Sequence, residues 1–239
     1  MNMTKRHRRR DFLGKAAALG CGLGLPVIGA VTVVGRSAQE PTGEKEEEVT
    51  PTEDLMREHG VLSRVLLIYE EAARRLIGQR ELPPEVLADS AGIIRTFIEN
   101  YHEKNEENYL FPRFEKAGKL VDLVKVLRTQ HEAGRRLTES IQELSTLAAF
   151  KNAGERSRVT TAIHKFIRMY RPHKAREDTV LFPALRSVVS AHEFAALGEQ
   201  FEDKEHELLG ANGFENMVDK VAGLEKKMGI YNLVQLTPS

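Results

Sequence analysis

The sequence predicts an all-α fold, an antiparallel four-helix bundle with additional helices at the C-terminal end. Apolar residues recur at alternating intervals of four and three along several long segments of the 239-residue chain, which is the spacing of one helix face. Short stretches with Gly, Pro or Asn separate these segments and are short enough to join antiparallel neighbours. No stretch of useful length alternates between apolar and polar residues, as a half-buried strand would.

The first helix has clear start and stop signals. The sequence Thr-Pro-Thr-Glu at 50–53 is a capping box with Pro at the first helical position. An apolar stripe then runs from Leu55 to Leu76, and Gly78 is expected to end the helix.

Proline and turn residues bound the second and third helices. The second helix is predicted to begin after Pro84 and to run to about Leu110, because Pro112 must end or kink it. The third helix is predicted over roughly residues 119–150.

The last helices follow the same rules. The fourth carries the apolar stripe of residues 159–180, with a kink expected at Pro172. A fifth helix begins with a capping box at 190–193 and reaches about Leu209. A shorter sixth helix covers about residues 214–227.

These elements divide the chain into four predicted parts. Residues 1–38 form an export signal or a membrane anchor, and residues 39–49 form an acidic spacer. Residues 50–210 are expected to form the helical bundle, and residues 211–239 are expected to form a helical extension that packs on it.

The leader has the layout of an export signal. Arg9-Arg10 is followed by the residues Asp-Phe-Leu at 11–13 and an apolar run at 16–34, which resembles a twin-arginine signal. We therefore expect an exported protein of the periplasm or cell envelope. A plain Sec signal or a single-pass anchor are the alternatives. Membrane contact is expected only through this segment, if it stays uncleaved or is lipidated at Cys21.

Composition excludes several classes of function. The chain has 35 Lys and Arg against 35 Asp and Glu, so it lacks the basic excess of a nucleic-acid-binding protein. Without residues 1–38, 28 basic and 34 acidic residues remain, a net charge of about −6. The single Cys excludes a disulfide framework and a Cys-based zinc or iron–sulfur site.

Polar residues occupy core positions inside two of the apolar stripes. His59 lies in the stripe of the first helix, and His173 and Glu177 are consecutive members of the stripe of the fourth. Burying an unpaired polar group costs about 2–7 kcal/mol, so these side chains need partners in the interior.

An internal repeat supplies those partners. The sequence His102-x3-Glu106 is followed by Leu-Phe-Pro, and so is His173-x3-Glu177, at an offset of 71 residues. A single histidine precedes each pair on the preceding helix, His59 by 43 residues and His131 by 42.

The spacing of the repeat predicts a metal site. Residues four apart lie on one face of a helix, so each His and Glu of a pair point in the same direction. Four helices thus bring four imidazoles and two carboxylates to one interior. This ligand set suits iron, manganese or zinc, and two facing carboxylates can bridge two metals about 3.5–4 Å apart.

This pattern resembles the hemerythrin-like (HHE cation-binding) domain over about residues 52–210. The resemblance implies two non-heme iron ions in a four-helix bundle, with Mn or Zn less expected. Carried over by position, the two carboxylates bridge the ions and the histidines are terminal ligands: Glu106 and Glu177, and His59, His102, His131 and His173.

The chain departs from the oxygen-carrying hemerythrins at two places. Their third helix has a His-x3-His pair, but here Arg135 stands four residues after His131. Their fourth helix has His-x4-Asp, so Asp178 competes with Glu177 as the bridging acid. His206 is the candidate for the missing histidine. If His206 does not bind, one iron keeps an open position.

The function expected from this resemblance is binding or sensing of a small diatomic ligand, foremost dioxygen, without catalysis. The alternatives are a diiron oxidoreductase that acts on peroxide or nitric oxide, and iron storage or metal buffering. We expect no attached catalytic or signalling domain, which favours a stand-alone binding protein over a transducing sensor.

Overall fold

A computed structural model describes residues 49–238 and confirms the all-α fold, with no strand in that range. The predicted leader and nearly all of the predicted acidic spacer lie outside the described residues. Within them, seven helices follow one another: α1 (Pro51–Ile77), α2 (84–117), α3 (Val121–Glu143), α4 (Leu147–Lys151), α5 (153–184), α6 (Ala191–Leu209) and α7 (Gly213–Met228).

Helices α2 and α5 are composite, because π-helical turns interrupt them. Helix α5 consists of the α-helix Ala153–Arg176, the π-turn Glu177–Leu181 and the short α-helical end Phe182–Ala184. Helix α2 runs through five segments: Pro84–Ile93 (α), Ile94–His102 (π), Glu103–Asn105 (α), Glu106–Leu110 (π) and Phe111–Ala117 (α). Glu106 and Glu177 thus each begin a π-turn.

The π-turns change the expected effect of the prolines. Helix α2 does not stop near Leu110 but continues to Ala117, with Pro112 in the first turn of its last α-helical segment. Pro183 has the same place after the π-turn of α5. A missing N–H costs no hydrogen bond at a helix start, and a π-turn supplies such a start inside a longer helix. Pro172 lies inside the α-helical part of α5.

The third predicted helix is two helices. Helix α3 ends at Glu143, and α4 begins after Thr146, whose side chain accepts a hydrogen bond from the backbone N–H of Ala149. A threonine favours the N-cap over the helix interior, because its hydroxyl competes for backbone N–H groups. The prediction of one unbroken helix over 119–150 is therefore wrong, because the chain leaves the helix between Glu143 and Leu147.

The core consists of two clusters of buried apolar residues. The larger cluster joins side chains of α1, α2, α5 and α7, while the smaller one joins the start of α1 to the ends of α2 and α5 and to α6. The Leu-Phe residues of both repeats belong to the smaller cluster: Leu110, Phe111, Leu181 and Phe182. Each repeat therefore ends in apolar residues that close one end of the bundle.

The two C-terminal helices pack against different parts of the bundle. Helix α6 places Phe194, Leu197 and Phe201 in the smaller cluster. Helix α7 packs on α1 through apolar side chains of the larger cluster, and Arg64 Nε donates to Glu225 Oε1 at 3.0 Å. Among residues 49–238, no helix has both the length and the apolarity that a membrane span requires.

We expect Gly134→Ala to destabilise the fold by about 1–3 kcal/mol. A Cβ atom at Gly134 of α3 would lie 1.9 Å from Oη of Tyr170, so the tyrosine must move. Chemical denaturation of the metal-free protein measures the effect. Gly223→Ala on α7 is the control, because its Cβ meets nothing within 4 Å and the change should stabilise by up to about 1 kcal/mol. If the two substitutions change the free energy of unfolding equally, the close approach of Gly134 and Tyr170 would be contradicted.

Candidate metal centre

Four helices bring the histidines and glutamates of the repeat together in the interior. His59 comes from α1, His131 from α3, and the two His-x3-Glu pairs come from α2 and α5. No more than 4% of any of these histidines is exposed, and Glu106 and Glu177 are fully buried. The structure thus assembles all six residues that the repeat singled out.

Each carboxylate lies between one histidine of each half of the repeat. Oε2 of Glu177 is 3.2 Å from Nε2 of His173 and 3.4 Å from Nε2 of His59. Oε2 of Glu106 is 3.4 Å from Nε2 of His131 and 3.7 Å from Nε2 of His102. All four imidazoles therefore turn Nε2 toward the carboxylates.

Two sets of ligand atoms can each hold one ion. His59, His102 and Glu106 form one set, which we call half A, and His131, His173 and Glu177 form the other, half B. Within each half, one atom per residue lies within 4.8 Å of the others. In half B the two Nε2 atoms are only 3.2 Å apart.

The outer nitrogen of every histidine has a hydrogen-bond acceptor. In half A, Nδ1 of His59 donates to Oδ1 of Asp178 at 2.7 Å, and Nδ1 of His102 donates to Oε2 of Glu58 at 2.7 Å. A proton held on Nδ1 leaves the lone pair of Nε2 free for a metal, which is the usual arrangement of metal-binding histidines.

Half B repeats this arrangement with other acceptors. Nδ1 of His131 donates to Oε1 of Glu107 at 3.1 Å, and Nδ1 of His173 donates to Oε1 of Gln130 at 2.8 Å. Sequence reasoning missed Glu58, Glu107 and Gln130. Their signal was their position, because each stands directly beside a predicted ligand in the sequence.

The structure separates the two acids at 177 and 178. Glu177 is fully buried and faces the histidines, whereas the side chain of Asp178 is 28% exposed and holds His59 from outside. Successive residues of a helix point in directions about 100° apart, so only one of them can face the centre. Glu177 is therefore the acid that faces the four histidines.

Burial and neighbouring charges shift the pKa values of the centre in opposite directions. Burial lowers the pKa of His59, but the hydrogen bond to Asp178 and the negative charge of the adjacent Glu177 outweigh it and raise the pKa to about 9. Burial lowers the pKa of His131 to about 4 despite its bond to Glu107.

The two buried carboxyls behave as a pair. Burial and the adjacent charge of Glu177 raise the pKa of Glu106 well above its usual range. Burial also acts on Glu177, but His173 and His59 outweigh it and hold its pKa well below that range. Two carboxylates this close cannot both ionise without a compensating cation.

The unsatisfied oxygens of this pair fit a metal centre. Among the described residues, neither oxygen of Glu106 or of Glu177 has a hydrogen-bond partner, although all four atoms are buried. Leaving buried carboxylate oxygens unpaired is costly, so native proteins pair them or use them as ligands of a cation. The donor set of imidazole nitrogens and carboxylate oxygens suits iron, manganese or zinc.

The structure does not group His206 with the other four histidines. None of the potential metal-binding clusters formed within residues 49–238 includes it. The preceding residue of α6, Glu205, is the one that turns inward, and it lies beside Asp54 and Glu58. Since neighbours on a helix diverge by about 100°, the inward direction of Glu205 carries His206 away. The expected fifth histidine is therefore not found there.

Arg135 does not take the place of a fifth histidine either. Its guanidinium donates to Oε2 of Glu103 at 2.7 Å and to Oε1 of Glu107 at 2.6 Å. Tyr170 donates to the other oxygen of Glu103 at 2.7 Å. Burial raises the pKa of Glu103 to about 8. Arg135 thus belongs to a polar network with Glu103, Glu107 and Tyr170, and not to the group of histidines and glutamates at the centre.

Aromatic rings shield the centre on the side of the smaller apolar cluster. Phe182 stacks on His59 with 5.5 Å between ring centroids, and Phe111 stacks on His131 at 5.6 Å. These rings come from the Leu-Phe-Pro motif of the opposite half of the repeat, which explains why the motif accompanies each His-x3-Glu pair.

Comparisons with known proteins agree with this geometry. The family model "Hemerythrin HHE cation binding domain" matches residues 50–185. Two relatives, described as uncharacterized proteins Rv1995 of Mycobacterium tuberculosis (strain ATCC 25618 / H37Rv) and Mb2018 of Mycobacterium bovis, are each 52% identical over 205 residues. The aligned part covers 86% of this chain and 80% of each relative. No solved structure matches the chain.

Metal binding should release protons and should become tighter between about pH 6 and about pH 8. The pKa of about 9 means that His59 holds an extra proton near neutral pH in the metal-free centre, and a metal must displace it; the raised pKa of Glu106 acts in the same direction. Calorimetric Zn²⁺ titrations in two buffers of different ionisation enthalpy measure the number released. Equal apparent enthalpies in both buffers would contradict the prediction.

Proposed function

Because the chain belongs to the hemerythrin HHE cation-binding family, we propose that it is a non-heme diiron protein that binds dioxygen reversibly inside its bundle. One observation carries the proposal. Four imidazole Nε2 atoms and two carboxylates without hydrogen-bond partners converge in a fully buried interior. Iron bound there would supply the electrons that reversible dioxygen binding requires.

The residues suit two ions better than one. Each glutamate lies between a histidine of half A and a histidine of half B, which is where a bridging carboxylate belongs. The donor set contains nitrogen and oxygen but no thiolate, so it suits iron in preference to a structural Cys-bound zinc.

The surroundings of the centre suit a binding protein. Phe111 and Phe182 cover His131 and His59 with apolar rings, which keeps bulk water away from the ligands. Restricting water limits unwanted proton transfer to a bound ligand and favours its release unchanged. Iron storage is less suited to this arrangement, because it needs ligands that many ions can reach.

A second candidate function is turnover of peroxide or nitric oxide at the same centre. The engagement of Arg135 with Glu103 and Glu107 supports it, because the position four residues after His131 then offers no ligand. An ion in half B would have one histidine fewer than the His-x3-His pair of the oxygen-carrying hemerythrins provides, and it could accept an additional small molecule.

Anaerobic reconstitution with Fe²⁺, followed by metal analysis and absorption spectroscopy, tests the proposal on the full chain. We expect two irons per chain and absorption bands that appear with oxygen and disappear on deoxygenation. Bands that form once and bleach, together with catalytic consumption of peroxide or nitric oxide, would favour the second candidate. Failure to bind iron would overturn both.

Variants on single helices provide matched controls for this experiment. His173→Gln should lose at least about tenfold in iron affinity and should lose the oxygen-dependent bands, because it removes a ligand nitrogen. His164→Gln on the exposed face of the same helix α5 should retain both, and so should His206→Gln on α6. Loss of iron in the His206 variant would contradict the placement of His206 outside the centre.

A further inference from the structure

We infer that the two ion positions are unequal, and that half A holds its ion more tightly than half B because of the residues behind the histidines. This inference rests on the proposed dinuclear centre and adds to it the order in which the ions bind. It concerns the chain's own residues, and the internal repeat provides the comparison, since each half has the same layout with different outer acceptors.

In half A, both histidines donate to a carboxylate. His102 donates to Glu58 and His59 donates to Asp178, each at 2.7 Å. Within the described residues, neither acid has a lysine or arginine partner. The side chain of Glu58 is 1% exposed, so little solvent screens its charge. Both imidazoles therefore donate to a carboxylate oxygen that, among the described residues, no lysine or arginine shares.

In half B, the corresponding acceptors are weaker. Gln130 holds His173 through a neutral amide oxygen, and it occupies the place that Glu58 has in half A, directly before the single histidine of its half. Glu107 holds His131 at the longer distance of 3.1 Å.

The charge of Glu107 is also shared with two cations. The guanidinium of Arg135 donates to its Oε1 at 2.6 Å, the same oxygen that accepts from His131, and Lys104 donates to Oε2 at 2.6 Å. A carboxylate that already binds two cations attracts the Nδ1 proton of a histidine less strongly. Its pull on the Nδ1 proton of His131 is correspondingly weaker than that of Asp178 on His59.

The outer acceptor controls how well an imidazole donates to a metal. A carboxylate that accepts from Nδ1 draws the proton away and makes Nε2 more basic, while an amide does so less. Loss of one such partner typically changes metal affinity by 10–100-fold. Above a pH of about 9, where His59 no longer holds a proton that the ion must displace, the difference between the halves predicts stepwise dissociation constants that differ by at least about tenfold, with half A filled first.

A charge exchange between the halves tests the inference. Glu58→Gln weakens the acceptor of half A, Gln130→Glu strengthens that of half B, and the double variant keeps the total charge while exchanging the two acceptors. Each substitution exchanges a carboxylate for an amide of nearly equal size, or the reverse, so the packing around the side chain should persist. Gln142→Glu, at the far end of α3, is the control for an added charge.

The measurement is a competition titration of the full chain with Co²⁺ and a coloured chelator at a pH above the pKa of His59, which is about 9, together with proton NMR at one equivalent of Co²⁺. The hydrogen-bonded Nδ1 protons report which histidines surround the first ion, and single His→Gln variants assign them. We expect wild-type protein and the Gln142 variant to show shifted signals of His59 and His102 first. Each single substitution should reduce the difference between the two stepwise dissociation constants. In the double variant, the signals of His131 and His173 should shift first.

The outcomes separate this inference from the function on which it rests. Two ions that bind with equal affinity, or a binding order that the double exchange leaves unchanged, would overturn the inequality of the halves alone. A chain that binds a single Co²⁺ or none would overturn the dinuclear centre, and the inference with it.

Discussion

The burial of two carboxylates among four imidazoles is the interaction on which the rest of this structure depends. Glu106 and Glu177 lie fully inside an otherwise apolar bundle, and the described residues offer no hydrogen bond to their oxygens. An unpaired buried polar group costs about 2–7 kcal/mol, so side chains at these core positions are tolerable only with a strong compensating interaction. A cation bound by the carboxylates and the histidines would provide that compensation, and membership of a cation-binding family agrees with it.

The outer hydrogen bonds link this centre to the arrangement of the helices. Glu58 of α1 holds a histidine of α2, and Gln130 of α3 holds a histidine of α5. Glu107 of α2 holds the single histidine of α3, and Asp178 of α5 holds the single histidine of α1. Each helix thus supplies a ligand and also orients the ligand of another helix. A shift of one helix along its neighbour would break both kinds of contact, so these bonds also fix the register of the bundle.

The sequence by itself determined the helical fold and the inner ligand set. Three-and-four spacing of apolar residues is a local property, and it predicted α1, α6 and α7 closely because caps such as Thr50 and Ser190 mark their starts. The six inner residues followed from the repeat of His-x3-Glu with a preceding histidine, since residues four apart on a helix share a face whatever surrounds them. That periodicity reflects backbone geometry and needs no knowledge of the neighbouring helices.

Tertiary structure alone decided which polar neighbours of the ligands act as acceptors. Glu58, Glu107 and Gln130 reach histidines that lie 24 to 44 residues away in the chain, and no local pattern encodes such a distance. The same limit applies to His206, whose place outside the centre depends on how α6 is rotated against α1 and α2. Spacing within a helix fixes which residues share a face, but the direction of that face, and what it meets, is set by the packing of the helices.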